Sequence, residues 1–290
     1  MRGFAVWVTD RPYRIVLLAI VFVQIFVPVA AALLVLDALR RGPAAAMLSA
    51  VLTIAGTVLI GLSLEAGMIA VLSVAAPVLL IGAAGGALLR ASQSLSFAFQ
   101  ATVMGSIAFA LIVLVAAPEA RGIGELVLGE FLLLLELGGL TEAQLAPMAE
   151  TDPARFGRYF LFSLHASQLA GLMLGAWWYA LIAKGVPFGA EFRALRLGRV
   201  TGIALMVPVT AALVIASELV RLVAAMAVAG FLFQGLAVLH ARSRSDNWHV
   251  AVLVLVYLAL VPPLTGITIL GVSAIGLLDC VFPLRKRAEA

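Results

Sequence analysis

Runs of about twenty apolar residues recur along this chain of 290 residues, and they leave few folds open. Hydrophobic residues make up 64% of the sequence and charged residues 12%. Soluble domains carry roughly twice that charge. One globule in water has too little interior to hide so much apolar side chain, so the bilayer must act as solvent. The runs are continuous rather than alternating, which excludes a transmembrane β-barrel. A net charge of +4 arises from Arg and Lys at the ends of apolar runs, as expected beside a cytoplasmic leaflet. The basic residues form no dense patch with interleaved aromatics, so no nucleic-acid role is expected. Cys280 is the single cysteine, so no internal disulfide can form.

The chain reads as one transmembrane domain over 1–290, an all-α polytopic helical bundle of about eight hydrophobic segments. Ile15–Leu36 is interrupted at Pro28. Ala44–Leu62, Ala66–Leu89, Phe97–Ala117, Tyr159–Ile182, Val200–Ser217 and Leu219–His240 are six expected crossings. Trp248–Leu278 is broken by Pro262-Pro263. Between Glu119 and Asp152 lie seven of the fifteen acidic residues. Gly124–Gly138 carries Glu125, Glu130 and Glu136 and is too short and too charged to span, so segment 119–158 is expected to be an extracytoplasmic amphipathic cap. Thr141 with Gln144 has the spacing of a capping box, and Asp152-Pro153 that of a helix start.

Charge orients the spans. Basic turns at 37–43, 90–94, 184–199 and 240–247 belong in the cytoplasm, and turns near 65, 118–158 and 218–221 outside. That order holds for the six central spans. It places Arg2, Arg11 and Arg14 at one end, and Arg285, Lys286 and Arg287 at the other, on the wrong side unless each terminal run turns back at its proline. The last run has 14 residues before Pro262, about 21 Å of helix and short for a crossing. Both termini are therefore expected in the cytoplasm of a bacterial inner-membrane protein.

Few polar residues interrupt the spans. His165 and Gln168 are three apart on one helix face, with Ser163 and Ser167 nearby. They read either as a ligand-contacting face opening outward or as a histidine bonding a neighbouring helix. Glu218 and Arg221 are close enough to pair, as an interfacial ion pair or as the mouth of a pocket binding a charged group. Gln234 beside Gly235 reads as interhelical glue with close backbone approach, or as a ligand contact. Asp279 and the basic tail within 279–290, Arg285, Lys286 and Arg287, read as an interfacial charge pairing or as a docking surface for a cytoplasmic partner. Trp177, Trp178 and Tyr179 suit an aromatic belt, or an aromatic ligand platform. Gly82 with Gly86, Gly171 with Gly175, and Ala66 with Ala70 have small-xxx-small spacing, which a chain this rich in Ala and Gly also produces by chance. No catalytic set, metal-ligand spacing, phosphate loop or cofactor motif is recognisable.

Gln234-Gly235 within an apolar helix, followed by Leu270-Gly271, Asp279 and Phe282-Pro283-Leu284-Arg285-Lys286-Arg287, resembles the bacterial YybS-like family of polytopic membrane proteins. The resemblance is most specific from Phe231 to the C-terminus. Earlier residues follow the family in hydropathy and in turns such as Arg41-Gly42. That family is similar in fold to the S components of energy-coupling-factor transporters, the subunits that bind the vitamin substrate. The resemblance implies a small-molecule-binding or transport subunit with His165, Gln168, Glu218 and Arg221 around an outward pocket, driven by a separate ATPase and coupling subunit. The sequence departs from S components where an AxxxA docking surface belongs in the first helix: Ala19 is followed four residues later by Val23. The alternative reading is a structural or regulatory scaffold that recruits a partner and binds no ligand. Neither reading makes the chain an enzyme.

Overall fold

A computed structural model describes residues 1–63, 68–116, 123–183, 185, 187–245, 250–282, 284 and 285. Every regular element among them is helical. In chain order these are α1 (Arg2–Asp10), α2 (Pro12–Ile25), α3 (Val27–Arg41), α4 (Pro43–Ser63), α5 (Met68–Ser92), α6 (Leu95–Ala116) and α7 (Ile123–Leu137). There follow α8 (Glu142–Ala149), α9 (Pro153–Ile182), α10 (Phe188–Arg193), α11 (Arg199–Ala211), α12 (Glu218–Ser245), α13 (Val250–Ala259) and α14 (Thr265–Val281). Five helices, α4, α5, α6, α9 and α12, are long and apolar enough to cross a membrane. The protein is thus a polytopic helical membrane bundle.

The bundle is built around α3. Residues 30–39 of this helix are buried on every side, the burial expected of a helix without a polar face. Glycines on its neighbours make room. A Cβ at Gly171 of α9 would collide with Ala31 Cβ, and one at Gly175 would lie 2.6 Å from Val35 Cβ. On α5, a Cβ at Gly82 would meet the Ala31 carbonyl at 3.2 Å, and one at Gly86 would meet Val35 Cα at 2.8 Å. Both small-xxx-small pairs therefore form the seam around α3, where backbones approach closely. Asp37, completely buried near the end of α3, is neutralised by Arg41 one turn on, and Ser49 of α4 accepts from Arg41 Nη2 at 3.0 Å. Gly42, with φ +99°, ends α3, and Pro43 starts α4.

Helix α3 is the return arm of a hairpin. Val27 at its start belongs to an apolar cluster with Phe160 and Leu164 of α9, while Val35 sits at Gly175. Phe4 of α1 meets Trp178 of α9 edge to face at 5.3 Å. Helices α2 and α3 therefore run up and back over about 20 Å, the rise of α9 from 164 to 178. The chain turns at Phe26, just before Pro28.

The C-terminal run also bends back. Tyr257 of α13 packs on His240 of α12 at 5.9 Å, and the chain then turns over 260–264. Helix α14 returns alongside α12: Ser273 Oγ donates to the Val228 carbonyl at 3.0 Å, and Arg242 donates to the Leu284 carbonyl. Each terminal run is thus broken near its prolines.

The span expected over Val200–Ser217 is helical only through Ala211, a helix of 13 residues containing Pro208. Proline removes one helical hydrogen bond and crowds the preceding turn. The remaining residues of this segment, with Leu213 and Val214 each 84% exposed, are outside the helix. Trp178 is buried against α1, and Trp177 faces a groove within the bundle.

The acidic segment folds as the two helices α7 and α8 over the start of α9. A Cβ at Gly124 would strike the Pro153 carbonyl, and Phe131 packs on Phe156 at 5.8 Å. Glu125 and Glu136 face outward. Thr141 N donates to Gln144 Oε1 at 2.9 Å, closing the capping-box contact, and Asp152 accepts from Ala154 N at 3.0 Å. Residues 64–67, 117–122, 184, 186, 246–249, 283 and 286–290 lie outside the described residues. Glu65, Ala66, Glu119, Lys286 and Arg287 are among them.

Candidate functional site

The polar residues flagged in the sequence sort into three places, and a fourth feature was not foreseen. His165 and Gln168 share a buried face of α9, 1% and 3% exposed. His165 Nδ1 lies 3.4 Å from Gln168 Oε1, so that nitrogen is the donor. Ser106 Oγ of α6 lies 2.9 Å from the same Gln168 oxygen and 2.7 Å from the Thr102 carbonyl. His165 Nε2 is buried and has no partner among the described residues. This is helix-to-helix bonding between α6 and α9, with one ring nitrogen left over.

Glu218 and Arg221 do pair, at 3.2 Å, at the start of α12. Arg158 of α9 completes the cluster, donating to Glu218 at 2.6 Å. The cluster is solvated: the Glu218 side chain is 53% exposed. It lies two turns of α9 above His165, about 10 Å along the helix. The structure does not gather His165, Gln168, Glu218 and Arg221 into one pocket.

The third group is a single network. Gln234 Oε1 accepts from Leu197 N at 2.8 Å, and Gln234 Nε2 donates to Asp279 at 2.9 Å. Arg285 Nη2 donates to the same carboxylate at 2.5 Å and to the Leu195 carbonyl at 2.7 Å, while Nη1 donates to the Arg193 carbonyl at 2.6 Å. Arg285 is 6% exposed. It faces inward, its charge matched by Asp279 and its remaining donors by the Arg193 and Leu195 carbonyls. Gly235 brings α14 against α12: a Cβ there would collide with the Val272 carbonyl. Gln234, Asp279 and Arg285 thus form one structural clasp between α12, α14 and the linker after α10.

The unforeseen feature is a groove of about 670 Å³ on another side of α9 from His165. One wall is the α9 stripe Ala166, Ala170, Met173 and Trp177. Facing it are Leu232, Phe233 and Leu236 of α12, with Tyr257 of α13 and the adjacent Leu260 at the rim. Helix α13 buries none of its residues fully, and Tyr257 is 46% exposed, so this rim is apolar and outward-facing. Helix α10 closes one end with Phe188 and Phe192, stacked at 5.9 Å.

Polar groups concentrate at that closed end. Arg193 ends α10 and lines the groove, and its guanidinium has no hydrogen-bond or carboxylate partner among the described residues. His240 lies edge-on to Phe192 at 5.2 Å, and its Nδ1 donates to the Leu236 carbonyl at 2.8 Å. That leaves Nε2 as the ring's remaining polar atom. Burial raises the Glu191 carboxyl above its ordinary range. Sequence reasoning passed over Arg193 and His240 as ordinary residues of basic turns. The signal present was the Phe188–Phe192 pair, four apart and followed by Arg193.

Fold and groove together define a helical membrane protein with an apolar groove closed at a cationic end. No family model, curated protein or solved structure matches the chain.

Proposed function

We propose that this chain is the small-molecule-binding subunit of an inner-membrane system, with its ligand in the groove between α9, α10, α12 and α13. The observation that carries this reading is the groove itself, whose volume of about 670 Å³ suits a compact organic ligand. Apolar walls with a few convergent polar groups are the usual make-up of such sites. The site differs from the outward pocket expected around His165 and Glu218. The resemblance to S components enters as a working analogy: a binding subunit that relies on a separate ATPase for any transport. The end bearing Arg41, Arg90 and Arg193 faces the cytoplasm, as the basic bias of the turns favours.

Native mass spectrometry of the protein gently extracted from its own membrane tests this. A stoichiometric small molecule is expected, lost in Ala170→Trp, which fills the groove, and retained in Glu218→Gln. A protein free of small molecules but bound to a cytoplasmic assembly factor would replace this reading with that of a scaffold.

A further inference from the structure

The groove is asymmetric in a way that selects its occupant. Along most of its length the lining is aliphatic or aromatic, and one end holds a guanidinium, unpartnered among the described residues, beside His240. A guanidinium is permanently charged, and its forked donors match a carboxylate or phosphate. Its attraction for an anion strengthens in the low dielectric of a groove walled by Phe188, Phe192 and Leu236. A long apolar trough ending at one cation has the shape and charge of a single-chain amphiphile with an acidic head. Tyr257 at the rim is 46% exposed on the apolar helix α13, a surface suited to lipid chains, so such a molecule enters sideways from the bilayer rather than from water.

Resting on the groove reading above, we infer that the ligand is a single-chain anionic amphiphile drawn from the surrounding lipid, its head on Arg193 and its chain between α9 and α12. Arg193 selects the charge, and the α9 stripe from Ala166 to Trp177 holds the chain. Glu218, Arg221 and Arg158 lie at the far end of the bundle and take no part.

The test uses the full chain in phosphatidylcholine nanodiscs with two photoreactive probes of equal chain length, a fatty acid and a fatty alcohol, each carrying a diazirine in its tail. The expected result is acid adducts on peptides covering 166–177 and 232–240, at about tenfold the alcohol yield, the ratio expected for one charge-assisted contact. Arg193→Gln should bring the acid down to the alcohol level, and Arg193→Lys should restore part of the difference. A thermal melt shows that each variant is folded. Equal labelling of the groove by both probes, or an Arg193→Gln variant that labels like the parent, overturns the anionic assignment and leaves the groove reading standing. Labelling that inorganic phosphate competes away overturns the membrane source. Groove peptides free of either adduct overturn both readings.

Discussion

The Gln234 amide donates to the Asp279 carboxylate at 2.9 Å across 45 residues of sequence, and this contact decides how the C-terminal third is held. Gln234 also receives Leu197 N, and Asp279 also receives Arg285. One buried network therefore ties α12, α14 and the linker after α10 together. The linker follows directly on α10, which closes the groove, and Arg285 also donates to the Arg193 carbonyl, so the clasp holds Arg193 in place through its backbone.

Breaking that clasp from one side should be expensive. Asp279→Asn leaves the Arg285 charge buried without its counter-ion, at a cost of about 3–5 kcal/mol. Replacing both, as Asp279→Leu with Arg285→Met, should cost less than the single change, because no buried charge remains. Thermal melts followed by tryptophan fluorescence measure both. A single variant as stable as the parent would show that the pair is solvated.

The seam around α3 predicts a sharp contrast between glycines. Gly175→Ala places a methyl 2.7 Å from the Ala32 carbonyl, and overpacking of this kind costs about 1–3 kcal/mol. Gly105 of α6 has nothing within 4 Å, so Gly105→Ala should be neutral or stabilising by up to about 1 kcal/mol through helix propensity. Equal melting temperatures for the two variants would contradict the close approach of α3 and α9.

His165→Leu should leave stability unchanged or raise it. Its Nε2 is buried without a partner among the described residues, and such an atom costs about 1–3 kcal/mol that an apolar side chain of similar volume avoids. A melting temperature several degrees lower would mean that this nitrogen holds a bound water or ligand.

The terminal hairpin makes a labelling prediction. In a Cys280→Ala background, cysteines at Gly3, Arg40 and Ala194, all exposed, should react with an impermeant maleimide from one face of the membrane. A cysteine at Glu142 should react from the other. Gly3 labelling together with Glu142 would mean that the first segment crosses.

The sequence by itself determined that the chain lives in a bilayer, because continuous apolar runs have no other solvent. It also determined where several helices start, through local signals such as Gly42-Pro43 and Asp152-Pro153. Summed charge favoured terminal runs that turn back, because basic turns stay on one side. These are properties of neighbouring residues or of the chain as a whole. Tertiary structure decided the rest. Gly171 and Gly175 could not be told from chance matches until α3 lay against them. Asp279, Arg285 and Gln234 read as separate candidates because a buried charge is stable only beside its partner, and the partner is distant in sequence. His165 and Glu218 were expected around one outward pocket, but Glu218 pairs with Arg158, two turns of α9 from His165. The groove had no motif at all: it is a space between helices distant in sequence, and Arg193 is legible as its cation only where the surrounding described residues leave that guanidinium unpaired.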